Sequence, residues 1–136
     1  MTDTVTGKVE TTIKIDSWDE KPTQEFDDGT KVAHAVVGLT EGNDGLATGH
    51  MESVLYYRAD GTSEYVGTIR LAAELDGKKG AFTAVGEGAY DGTTASSTMR
   101  IVEGTGDLTG ITGTVASSST AEDYPNMPLV VEYQLG

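Results

Sequence analysis

The stretch LATGHMESVLYYRADGTSEYVGTIRLAAELDGKKGAFTAVGEGAYDGTTASSTMRIV, residues 46–102, decides the fold. Met51, Ser53, Leu55 and Tyr57 fall on one parity, followed by Tyr65, Gly67, Ile69, Leu71, Ala73 and Leu75. Glu52, Arg58, Glu64, Thr68, Arg70 and Glu74 fall on the other. A period of two held over this length marks strands buried on one side and excludes helices. Asp60-Gly61, Asp76-Gly77 and Asp91-Gly92 stand between the runs, and Asp-Gly supplies the positive φ that tight hairpin turns require. These residues predict four consecutive antiparallel strands in the wall of a small β-barrel.

Outward from this block the same signals continue. Val5 to Ile15 alternates Val5, Val9, Ile13 and Ile15 against Lys8, Glu10, Thr12 and Lys14, and Ser17-Trp18-Asp19-Glu20-Lys21-Pro22 is expected to end that strand. Lys31 to Thr40 is a second strand, apolar enough on both faces to be covered on both. Gly104 to Gly110 is a Gly-rich corner, Ile111 to Ser118 a seventh strand and Leu129 to Leu135 an eighth, with a polar loop over Ser119 to Pro128. The expected fold is all-β, an eight-stranded antiparallel β-barrel formed by one domain, residues 1–136. Small side chains in the fifth and sixth strands, Ala84, Gly86 and Gly88 and then Ala95 to Thr98, point to a lumen with room for a small ligand. The bland alternative is that the glycines mark bulges or bends.

Composition removes several functions. There is no Cys, hence no disulfide, thiol nucleophile or Cys-ligated metal, and a reducing, cytoplasmic location is expected. Met1 to Val5 has neither a basic segment nor an apolar run, so neither a leader nor a membrane partner is expected. The net charge of −13, with only nine Lys and Arg, disfavours nucleic acid. Gly104 to Gly110 has neither the Lys nor the following helix of a phosphate loop, and His34 and His50 do not complete a metal site. No cofactor and no metal are expected.

Ser17-Trp18-Asp19-Glu20-Lys21-Pro22, Tyr57-Arg58-Ala59-Asp60-Gly61-Thr62, Tyr65-Val66-Gly67, Gly80-Ala81-Phe82, Gly104-Thr105-Gly106-Asp107-Leu108 and Gly110-Ile111-Thr112-Gly113 run nearly the length of the chain. In that order they resemble the bacterial domain of unknown function 3224 family, with a barrel of the allene oxide cyclase type. The resemblance implies eight antiparallel strands, self-association with a dimer favoured, and a lumen open at one end. It also implies cofactor-free cyclisation or isomerisation of an already reactive substrate. Ile69 and Gly86 stand where polar side chains are common in the family, which would make this lumen drier and roomier.

The candidate catalytic groups are Tyr57, Tyr65, Tyr90, Arg100 and His34. A phenol offers a hydrogen bond without charge, and His titrates near neutrality. Against these stand plainer roles: tyrosines closing the barrel ends, a surface Arg, a hydrogen-bonded wall His. Trp18, Met51, Leu55, Ile69, Gly86, Met99 and Tyr133 are the candidate ligand contacts, Trp18 as either a lid or a plug. Three functions stay open at this level. One is a cofactor-free cyclase or isomerase of a small apolar molecule, another a lipocalin-like carrier or sensor, and the third a barrel that self-associates through Tyr56, Val85 and Ile101.

Overall fold

A computed structural model describes residues 5–135. Met1 to Thr4, the opening read for a leader, lies outside them. Eight strands follow in chain order: β1 (Val5–Glu25), β2 (Lys31–Thr40), β3 (Leu46–Tyr57), β4 (Ser63–Leu75), β5 (Lys78–Tyr90), β6 (Thr94–Gly106), β7 (Thr112–Thr120) and β8 (Asn126–Leu135). Each pairs antiparallel with its sequence neighbours, and β8 returns to β1, closing the sheet into a barrel. No helix among the described residues is long and apolar enough to cross a membrane.

β1 does not stop at Ile15. It runs to Glu25, because a bulge between Ile15 and Ser17 takes up Asp16 and lets the strand change partners. Val5 to Lys14 pairs with β8, whereas Ser17 to Glu25 pairs with β2 alone. A segment laddered on one side tolerates Pro22, so the proline is no terminator here. Pro128 repeats the pattern. It lies inside β8 opposite Thr12, beyond the last β7 pairing at Ala116 and Val130, and the loop expected over Ser119 to Pro128 shrinks to residues 121–125.

β2 has the expected limits but is covered only from inside. Ala33, Ala35, Val37 and Leu39 are buried, while His34 and Val36 face out. In β6, Met99 and Ile101 point inward and Arg100 and Val102 outward, which removes Ile101 from the outer face assigned to it.

One end of the tube is solid. Phe82, Leu71, Leu108, Leu129 and Val131 are all but withdrawn from water there, each contributing roughly 1.5–3 kcal/mol. The Asp76-Gly77 turn has positive φ at both residues, 50° and 76°, the twist of a two-residue hairpin. Across from it, the Tyr133 ring lies over Gly7, where a Cβ would sit 2.3 Å from the ring, and its hydroxyl donates to Asp76 Oδ2 at 2.7 Å. This seals the closed end.

Candidate functional site

Towards the other end the inner positions become short. Ser53, Ser63, Ala95, Ser97, Ser117 and Ser119 do not meet across the lumen, and a cavity of about 200 Å³ remains. Met51, Leu55, Met99 and Met127 supply much of its apolar lining, and Trp18, Tyr57, Tyr65 and Tyr90 its aromatic lining. A wider but more open hollow, bordered by Val54, Tyr56, Val66 and Thr98, lies on the outer face. Only the lumen takes a guest out of water on most sides, so the lumen is the candidate site.

The bulge at Asp16 decides what stands at the mouth. It moves β1 by one residue, so that Trp18, Glu20 and Pro22 oppose the inward Val37, Ala35 and Ala33. Glu20 is thereby brought to the lumen side, half-buried. Its Oε2 accepts the Tyr57 hydroxyl at 2.7 Å and its Oε1 the Trp18 indole N–H at 3.2 Å. Burial, then the hydrogen bond and charge of Glu20, push the Tyr57 phenol well above the usual range. Lys31, the cross-strand neighbour of Tyr57, holds its ammonium 4.9 Å from the centre of that ring.

The other phenols are equally committed. Tyr65 donates to the Ser96 carbonyl at 3.2 Å, and burial raises it against a lowering contact with Ser97. Tyr90 donates to the Gly92 carbonyl at 2.8 Å, bracing the β5–β6 turn. Each proton goes to a protein acceptor. What these groups show the cavity is ring faces and oxygen lone pairs.

Seven of the twelve residues singled out from sequence therefore meet around one cavity: Trp18, Met51, Leu55, Tyr57, Tyr65, Tyr90 and Met99. Five do not. Ile69 is buried in the solid half, at 2% exposure. Gly86 opens no space, since a Cβ there would lie 3.0 Å from Met99 Cγ and 2.7 Å from its Cα. Tyr133 is at the sealed end. Arg100 projects from the outer face, and so does His34, whose Nε2 stands 3.4 Å from Glu52 Oε2. Glu20 is the residue that sequence reading missed. Its signal was the alternation Trp18, Glu20, Pro22, visible only if Asp16 is counted as a bulge. Among the described residues, no group of three or more His, Asp or Glu side chains is arranged to hold a metal ion.

The profile of a family described as proteins of unknown function, DUF3224, matches residues 9–129. The chain belongs to the DUF3224 family. No curated protein matches it. A solved DUF3224 structure from Shewanella oneidensis MR-1, itself a protein with unknown function, superposes with a TM-score of 0.68 at 20% identity. The match covers 96% of this chain and 99% of that one. At that identity the likeness speaks for the fold alone: both DUF3224 chains share the closed antiparallel ring.

Proposed function

We propose that this DUF3224 protein, as a barrel of the allene oxide cyclase kind, binds one small, largely apolar molecule in the cavity at its mouth. The unfilled space carries the reading. An engineered apolar cavity of about 150 Å³ takes up benzene, and about 200 Å³ is available here beside Met51, Leu55, Met99 and Met127. The guest is thus the size of one ring with a short substituent. Hydroxyls of Ser53, Ser97 and Ser117 supply orienting contacts, in keeping with pockets that are mostly apolar with a few placed polar groups.

A second reading, cyclisation or isomerisation by confinement, draws support from Glu20, a carboxylate hydrogen-bonded to the cavity-lining Tyr57 and Trp18. Oxyanion stabilisation by the tyrosines is not part of it, because their protons are already donated elsewhere. Extraction of the purified protein, followed by mass spectrometry, is expected to release a ring-sized compound. Re-incubation with the apo-protein separates the two readings: unchanged recovery supports carriage, and a mass-neutral isomer supports catalysis. Absence of any bound compound, together with no response of Trp18 fluorescence to small aromatic probes, would refute both.

A further inference from the structure

Glu20 and Asp76 each accept a tyrosine hydroxyl, and Glu20 is the one whose partners line the cavity. Some of the other carboxylates reach lysines or arginine on the outer surface, as Glu10 does with Lys8 and Glu64 with Arg58. Glu20 has lumenal parity and, among the described residues, no cation within ion-pair distance; its partners are the neutral Tyr57 hydroxyl and Trp18 indole. A partly desolvated carboxylate gains from a positive charge brought to it. The groups around it agree. The phenol protons of Tyr57, Tyr65 and Tyr90 and the indole proton of Trp18 are all donated to the protein, so the rim offers lone pairs and π-faces. These attract cations and repel anions. The Lys31 ammonium lies over the Tyr57 ring, so that ring already carries a cation and the guest's head is left Glu20 and the Trp18 face. The whole chain, at −13, raises the local concentration of small cations.

We propose that the guest is an organic cation, an amine in its ammonium form on a single ring-sized apolar body. The charged head sits by Glu20 and Trp18, and the body reaches in among Met51, Leu55 and Met99. The inference rests on the binding role given to the cavity, and it adds the sign of the ligand's charge.

Three probes of nearly one shape test it on the full chain: benzylammonium, benzyl alcohol and benzoate. Binding is read from the methyl resonances of Met51, Met99 and Met127 and from Trp18, the only tryptophan. Benzylammonium is expected to bind about ten-fold tighter than the alcohol, with benzoate weakest. Glu20→Gln keeps an acceptor for Tyr57 or Trp18, and it should erase the preference while leaving alcohol binding in place. Should that variant not fold, added salt serves instead, weakening benzylammonium but not benzyl alcohol in the parent protein. Equal affinity for ammonium and alcohol, or tightest binding of benzoate, would overturn the charge assignment and leave the binding role standing. Failure of all three probes to move the methionine methyls would bring down both.

Discussion

Replacing Ser117 by Ile tests the vacancy on which the functional reading depends. Ser117 lines the cavity from β7, paired with Ser97 but past the point where β8 flanks the strand, so its backbone has latitude to adjust. Ile has two more side-chain carbons than Ser, beyond the one that takes the place of the hydroxyl. At about 0.8 kcal/mol per buried carbon the gain is about 1.6 kcal/mol, less about 0.5–1 kcal/mol of side-chain entropy. The net stabilisation is about 1 kcal/mol. For 136 residues the unfolding entropy is about 0.3 kcal/mol/K, so the melting temperature should rise by roughly 3–4 °C in calorimetry. Phe82→Ala, in the solid half, supplies the scale in the other direction, a loss of about 3–5 kcal/mol. Ser117→Ile should also weaken uptake of a ring-sized probe, since the added carbons occupy the same volume. A loss of stability of about 1 kcal/mol or more is the overpacking result, and it would mean that the lumen is already full.

Three other outcomes follow from single contacts. Asp76→Ala should destabilise by about 1–2 kcal/mol in urea titrations, because Asp76 has φ of 50° and Ala gains nothing from that conformation. Asp76→Gly, equally unable to hold Tyr133, should cost less, and equal costs in the two variants would assign the effect to the lost hydrogen bond. Burial and the Asp76 carboxylate push the Tyr133 phenol from 10.0 up to about 12, so between these values the folded chain keeps a proton that the unfolded chain releases. This contribution is intact below pH 10 and fades as pH climbs toward 12; Tyr133→Phe should flatten the fall, and an equally steep profile in that variant would place its origin elsewhere. His34→Ala and Arg100→Ala, both on the outer face, should each stay within about 0.5 kcal/mol of the parent in stability and leave probe binding unaltered. A many-fold loss of binding in either would contradict the orientation of β2 or β6.

The parts of the barrel legible in the sequence are those governed by parity and turn chemistry. Asp76-Gly77 fixes its hairpin locally, and Met51, Leu55 and Ile69 sit on the buried face that alternation assigns them. Parity does not say which of two apolar faces is inside, and so the Val32, His34, Val36 face of β2 could not be told from the Ala33, Ala35, Val37 face. Inside went the face without the histidine, which stays at the surface beside Glu52. Pro22 and Pro128 misled for a different reason. A proline rules out a strand paired on both sides, and both stand where the ladder has one side only. Glu20 was hidden by the one-residue bulge at Asp16, which inverts the side chains of β1 as far as Pro22, where a second shift follows, without leaving a mark in composition. The direction of a phenol proton was equally out of reach, although it separates a site that donates from one that accepts.

The same ladder ends explain why the vacancy lies where it does. β7 leaves β8 after Ala116, β8 carries on beside β1 as far as Lys14, and β1 then turns to β2 alone. At this seam the wall has fewer hydrogen bonds, and Ile15, Trp18, Ser117, Ser119 and Met127, which border it, also line the cavity. A lumen filled with large side chains at this level would have to be held by a wall that is weakest there. Short residues at the seam and dense packing at the sealed end place the stability in the half that is fully laddered. The open half can then give way locally at a cost below that of global unfolding. On the proposed binding role, the break in the ladder adjoins the cavity mouth and would let Trp18 and Tyr57 shift as a guest enters.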